Sequence, residues 1–170
     1  MISGIHHLGL TVRDVDASAA WYQEVLGFRR DGEFEAPDGA RRKIFLRHDG
    51  LDVRLGLTQH RAGDQVPFDE TRVGLDHLVF RVADREELAA WAERLSAAAV
   101  THSPVAAANS IPGAVVLVFR GPGPDPARVL RRPPVARGEP LPASLTSGAG
   151  PRRAGDVQDF PLCNSGTASG

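Results

Sequence analysis

The chain has a single cysteine, Cys163, among its 170 residues. One cysteine cannot form a disulfide bond within the chain, and it cannot supply the several thiolates of a cysteine-based metal site. An apolar run of about 18 residues, which a membrane-spanning helix needs, is also missing. The first residues lack a basic segment followed by an apolar one, so no secretory signal is expected. We therefore expect a reduced, cytoplasmic location.

The chain also has little net charge, because 20 lysines and arginines nearly balance 21 aspartates and glutamates to leave −1 at neutral pH. A nucleic-acid-binding domain normally carries a basic patch and a high pI. Neither a glycine-rich phosphate loop nor a nucleophile placed beside a general base is evident. The sequence therefore predicts no nucleic-acid partner and no membrane partner, and it identifies no catalytic nucleophile, acid or base.

An internal repeat is present at an offset of 70 residues. Residues 4–21, GIHHLGLTVRDVDASAAW, align without a gap with residues 74–91, GLDHLVFRVADREELAAW. Eight of the eighteen positions are identical: Gly4/Gly74, His7/His77, Leu8/Leu78, Val12/Val82, Asp14/Asp84, Ala19/Ala89, Ala20/Ala90 and Trp21/Trp91. His6 is not repeated, since Asp76 stands in its place. Such self-similarity indicates two copies of one structural unit.

Each copy begins with the alternation of a strand and continues into a helix that an aspartate can cap. The candidates are Asp14 or Asp16 in the first copy and Asp84 in the second, where Glu87 has capping-box spacing. Extended segments with turn signals follow each helix. We predict an α+β fold of two tandem βαβββ modules, with the stripe around Trp21 buried between helix and sheet.

The predicted domain organisation has four parts: a first module at 1–60, a linker at 61–73, a second module at 74–130 and a tail at 131–170. Composition changes at Gly121, since nine of the thirteen prolines lie in the last fifty residues. The strand pattern stops after Arg120, which makes the last strand of the second module doubtful. Two hypotheses account for the tail: an irregular, disordered segment, or a shift of reading frame near FRGP, which the underlying DNA would reveal.

The two faces of the first strand differ in character: one carries His6, Leu8, Leu10 and Val12, the other His7, Gly9 and Thr11. Because the helix covers the apolar face, we expect His7 and its repeat His77 to point away from it, and His6 to be structural. If the modules pair about a pseudo-twofold axis, the two repeated imidazoles meet in one cavity. Neutral imidazole binds Zn, Fe, Ni and Cu, so both are candidate metal ligands. The other histidines are expected to be structural: His48, His60 and His102.

The stretches HHLGLTVRDVDASAAWYQEVLGF and DHLVFRVADREELAAWAERL resemble the vicinal oxygen chelate superfamily of glyoxalases, bleomycin-resistance proteins and extradiol dioxygenases. The resemblance covers about residues 3–120. It implies mixed sheets that curl around a central cleft and a divalent metal ion (Fe, Ni, Zn or Mn). It further implies that each module supplies a histidine, here His7 and His77, and a carboxylate. In this sequence the first carboxylate position holds Gly56, or Arg54 in a shifted register, and Arg128 lies near the second carboxylate position.

This resemblance implies a small-molecule ligand and leaves three functions open. The first is a metal-dependent lyase, isomerase or ring-cleaving dioxygenase whose metal chelates two oxygens of a small substrate. The second is a metal-free protein of the bleomycin-resistance kind that sequesters a ligand. The third is a non-functional product of a shifted frame. The paired histidines favour the first and the missing carboxylates the second. A homodimer is compatible with this plan, and the expected substrate contacts are Thr11, Arg54, Thr58 and Arg81.

Overall fold

The computed structural model describes residues 1–63, 66, 69, 71–108 and 111–121, and the backbone of 126–131. All of these residues lie in one compact unit, Met1–Pro134. The predicted tail, apart from Arg131, falls outside the described residues, and so do the two hypotheses about it. The predicted linker is described only in part. The domain boundaries therefore stay predictions.

The chain forms two modules of the same plan. The first consists of β1 (His7–Thr11), α1 (Val15–Leu26), β2 (Arg29–Glu35), β3 (Arg41–Arg47) and β4 (Arg54–His60). The second consists of β5 (Leu78–Val82), α2 (Arg85–Ala97), β6 (Ala106–Ala107), β7 (Val115–Arg120) and β8 (Pro126–Arg131). The strand orders are β1-β4-β3-β2 and β5-β8-β7-β6. In each sheet the first pair is parallel and the others are antiparallel, which confirms the predicted α+β fold of two βαβββ modules.

Strand β8 corrects the expectation that the strand pattern ends after Arg120. It lies between β5 and β7 and pairs with both, so that Val129 is opposite Phe80 on one side and Leu117 on the other. The two neighbours offer hydrogen-bond partners along both edges of the segment, and this long-range pairing outweighs its weak local pattern. Pro126 stands at the first position of the strand, where proline is tolerated.

Both helices are capped by an aspartate, as the sequence predicts. Asp14 accepts hydrogen bonds from two backbone N–H groups of the first turn of α1, at 3.0 and 2.9 Å. Asp84 accepts one from the backbone N–H of Glu87 at 2.8 Å, and the Glu87 carboxylate accepts one from the backbone N–H of Ala83 at 2.7 Å. Helix α1 stops at Gly27, whose φ of 77° favours glycine. Neither helix of the described chain has the length and apolar character needed to cross a membrane.

One hydrophobic core joins the two modules. Its largest fully buried side chains come from both: Val15, Ile44, Leu46 and Leu57 from the first, and Leu88, Leu95, Leu117 and Phe119 from the second. Trp21 is only partly buried, and its ring lies 6.3 Å (between centroids) from that of Phe119 on β7, in the other module. Phe28 and Phe80 make a second such contact, at 6.0 Å. The faces of the two sheets that carry these side chains therefore belong to the same core.

Candidate functional site

The face of the first sheet that α1 does not cover, called the open face here, carries the first repeated histidine. His7 begins β1 and is exposed, whereas Leu10 on the opposite face is buried. Strand β4 runs beside β1 and puts Arg54 opposite His7, and Thr58 opposite Thr11. The structure therefore brings three of the four predicted substrate contacts to the same face as His7.

Arg54 is ion-paired on this open face. Its Nε lies 2.9 Å from Oδ2 of Asp31, and Nε of Arg47 lies 3.8 Å from the other oxygen of the same carboxylate. Asp31 is at the register shift in β2, and 17% of its side chain is exposed. Two guanidinium groups therefore share one carboxylate on the surface beside His7.

Gly56, where the resemblance implies a carboxylate ligand, is covered by an aromatic ring. A Cβ built on Gly56 would lie 3.4 Å from Cε1 of Phe45 and 3.7 Å from the carbonyl oxygen of Leu8. The Phe45 ring also packs edge-to-face on the His7 ring, with centroids 6.2 Å apart. Beside His7, the first module thus has an apolar surface in place of an acid.

In the second module, His77 comes immediately before β5, and its side chain is 35% exposed. Arg128 lies opposite Val79, which comes two residues after His77. In the first module, Gly56 likewise lies opposite Gly9, which comes two residues after His7. The backbone register therefore puts Arg128 at the second carboxylate position. In the described part of the chain, no group of three or more His, Cys, Asp or Glu side chains could hold a metal ion.

The two repeated histidines share one hydrogen-bonding arrangement. Nδ1 of His77 contacts a carboxylate oxygen of Asp76, and Nδ1 of His7 lies 3.0 Å from Nδ1 of His6. Nε2 of each repeated histidine makes no hydrogen bond to a described residue. A ring held at one nitrogen and open at the other is the usual state of a metal-binding imidazole. The donor chemistry of the two rings therefore fits a divalent first-row metal ion.

His6 does not pack on the helix-covered face, which makes the prediction for this residue wrong. It is exposed and precedes β1, so the alternation of the strand does not extend to it. Its ring meets the His7 ring edge-to-face, with centroids 5.3 Å apart. The alignment of His6 with Asp76 could have identified the position of His6, because each of these two residues contacts the histidine that follows it.

Two of the other histidines are engaged differently. His102 uses both ring nitrogens, one 2.8 Å from the hydroxyl of Ser96 and one 2.8 Å from the carbonyl oxygen of Ser103. Nδ1 of His48 accepts a hydrogen bond from the backbone N–H of Gly50 at 3.0 Å. These contacts agree with the structural roles expected for both residues.

Arg81, the fourth predicted substrate contact, lines a cavity between the modules. The cavity has a volume of about 210 Å³, and residues of both modules form its walls, among them Phe28, Phe80 and Trp91. Trp91, the repeat of Trp21, therefore reaches the junction of the modules from the second helix. The structure groups Thr11, Arg54 and Thr58 around His7, whereas Arg81 belongs to β5 of the second module, where it is exposed on the same face as Val79.

Comparison with known proteins identifies the family. A sequence model of the Glyoxalase/Bleomycin resistance protein/Dioxygenase superfamily matches residues 4–108. The chain belongs to this superfamily. The crystal structure of a glyoxylase/bleomycin resistance protein/dioxygenase domain from Frankia sp. EAN1pec is 29% identical and aligns over 81% of this chain and 97% of its own, with a TM-score of 0.69. The comparison with curated proteins found no match.

More distant solved structures show the same fold. A glyoxalase family protein from Enterococcus faecalis is 24% identical over 75% of this chain and 96% of its own, with a TM-score of 0.62. The fosfomycin resistance protein FosX from Listeria monocytogenes is 16% identical over 76% of this chain and 92% of its own, with a TM-score of 0.56. That FosX structure is a complex with Mn(II) and 1S,2S-dihydroxypropylphosphonic acid, so this fold holds a divalent metal and a small ligand in a relative.

Proposed function

We propose that this protein is a metal-dependent member of the superfamily, in which His7 and His77 hold a divalent metal ion that chelates a small oxygenated substrate. The observation that carries the proposal is the shared state of the two rings, each engaged at Nδ1 and without a hydrogen bond from Nε2 to any described residue. A bound metal would act as a Lewis acid towards neighbouring substrate oxygens, as in a lyase, an isomerase or a dioxygenase. The Mn(II) complex of the FosX relative supports a metal of this kind.

We further propose that the site forms between two copies of the chain. The side of the first sheet that faces the shared core is opposite the side that carries His7, and His77 comes immediately before β5 with 35% of its side chain exposed, so neither ring belongs to that core. A twofold pairing would bring His7 of one protomer to His77 of the partner subunit. Phe34 and Val79, which are 44% and 39% exposed, are apolar side chains that such a pairing can bury.

The proposed pairing predicts a dimer in solution. Sedimentation velocity should report twice the 18.2 kDa mass of the chain at micromolar concentration. Replacing Val79 with lysine should shift the distribution towards monomer, because a buried charge is costly and the backbone register puts a second cationic residue, Arg128, opposite this position. A wild-type protein that sediments as a monomer would contradict the shared site.

The substrate contacts proposed for the first module follow from its register. Arg54 lies opposite His7 and shares the Asp31 carboxylate with Arg47, and its guanidinium group suits an anionic group on the substrate. Thr11, which is exposed, and Thr58, which is 8% exposed, lie opposite each other further along the same two strands, and a threonine hydroxyl can hydrogen-bond substrate oxygens. Arg81 is proposed as a contact from the second module.

Metal content tests the proposed function. Wild-type protein loaded in turn with Fe(II), Ni(II), Zn(II) and Mn(II) and then desalted should retain a stoichiometric amount of at least one of them. His7→Ala and His77→Ala should lose it, whereas His60→Ala, an exposed histidine at the end of β4, should retain it. A folded wild-type protein that retains none of the four ions would overturn the proposal.

A metal-free small-molecule-binding protein is the second candidate function. It is favoured by Gly56 and Arg128, which occupy the positions where the resemblance implies carboxylates. This candidate predicts ligand binding that persists in His7→Ala and His77→Ala and in the presence of a chelator. Metal-dependent binding would rule it out.

A further inference from the structure

We propose that the residue before each repeated histidine positions it as a metal ligand: Asp76 positions His77, and His6 positions His7. The inference rests on the proposed metal site and adds to it two residues that would not themselves touch the metal or the substrate. Both members of each pair are adjacent in sequence, and the two pairs occupy the same position of the repeat.

The contact between Asp76 and His77 determines which nitrogen of the ring can bind a metal. An ionised carboxylate can only accept hydrogen bonds, so Nδ1 of His77 must carry the hydrogen and donate it. The neutral ring then has its lone pair on Nε2. The Asp76 side chain is 62% exposed, so packing in the core does not account for its contact with His77. A carboxylate behind a ligating histidine fixes the ring and raises its basicity.

His6 makes the corresponding contact in the first module, without a negative charge. Two neutral imidazoles whose Nδ1 atoms lie 3.0 Å apart form a hydrogen bond in which one donates and the other accepts. When His7 uses Nε2 for the metal, its Nδ1–H is the donor and Nδ1 of His6 is the acceptor. Both rings are exposed, so burial in the core holds neither His6 nor His7 in place.

The two halves of the proposed site are therefore unequal. His77 is supported by a charged acceptor and His7 by a neutral one, so His77 should be the stronger ligand. Replacing His6 with aspartate gives the first copy the residue of the second copy at this position. The repeat thus predicts that His6→Asp strengthens metal binding. A purely structural role for His6 predicts no such gain.

These changes in affinity can be measured by titrating the full chain with Mn(II) while electron paramagnetic resonance reports the concentration of the free ion. Asp76→Ala should weaken Mn(II) binding about 10- to 100-fold, the range typical of lost support behind a ligand. Asp76→Asn should weaken it less, because the amide oxygen still accepts the hydrogen bond, and His6→Asp should tighten it. Glu93→Gln, which removes an exposed carboxylate from α2, is the matched control and should leave binding unchanged.

The tautomer of His77 in metal-free protein gives a second readout that needs no metal. The ¹⁵N chemical shifts of the ring should show hydrogen on Nδ1 in the wild type and in Asp76→Asn, and a shift towards Nε2–H in Asp76→Ala. If Asp76→Ala changes neither the tautomer nor the Mn(II) affinity, the positioning role is overturned while the metal site stands. If the wild type binds none of the four ions, Mn(II) included, the proposed function fails, and the tautomer then decides by itself whether Asp76 holds the ring.

Discussion

Replacing Phe119 with alanine should destabilise both modules together, because its ring lies in the core that they share. Phe119 is 1% exposed, and its ring contacts Trp21 of the other module. Removing a buried phenylalanine side chain costs about 3–5 kcal/mol of unfolding free energy through lost burial and the remaining cavity. Since Met1–Pro134 is one compact unit, the loss should appear as one cooperative transition at lower urea concentration.

Hydrogen exchange measured by mass spectrometry distinguishes a shared core from two separate cores. In Phe119→Ala, amides of β3 and β4 in the first module should lose protection together with those of β7 in the second. Phe119→Leu is the control, since it keeps a large apolar side chain, leaves a smaller cavity than alanine does and should cost less. Loss of protection confined to the second module, or two separate unfolding transitions, would refute the shared core.

Three further predictions concern single residues. Gly56→Glu adds the implied carboxylate where a small shift of the Phe45 ring makes room, so Mn(II) should bind more tightly in a titration; unchanged or weaker binding would argue against this position. Gly27→Ala should cost about 1–2 kcal/mol in urea denaturation, because φ is 77° there, and no loss would contradict the left-handed cap. The hydrogen bond from Arg42 lowers the pKa of Asp16 in the folded protein. The stability that this ionised carboxylate contributes is therefore fully present above its unfolded pKa of about 3.9, and it is lost as the pH falls through its folded pKa. Thermal melts should therefore show a steeper acid loss in the wild type than in Asp16→Asn, and identical pH profiles would contradict this.

The repeat made much of the architecture predictable from the sequence. Two aligned copies, each with a period-two segment followed by a capped helix, predict two equivalent modules. Side-chain alternation within β1 separates His7 from its apolar neighbours, because residues on a strand point to opposite faces in turn. These inferences depend only on local geometry and on the equivalence of the copies, and the structure has both.

Features that depend on distant parts of the chain were less predictable. Pro126–Arg131 has no clear strand pattern of its own, and it forms β8 because β5 and β7 both pair with it. Trp21 was expected to pack between its helix and its own sheet, but its ring also meets Phe119, a contact that no pattern within one module encodes. The contact of His6 was missed because the strand begins one residue later, so the alternation did not apply to it.

The central claim, that His7 of one protomer and His77 of the partner subunit bind one metal ion, is tested most directly by mixing two variants that each lack one of these histidines. His7→Ala and His77→Ala should each lose the metal when measured alone. In a mixed dimer with shared sites, one site lacks both histidines and the other keeps both. Equal amounts, co-refolded at random, should therefore recover about a quarter of the wild-type metal content. No recovery in the mixture, or full metal content in either variant alone, would contradict the claim.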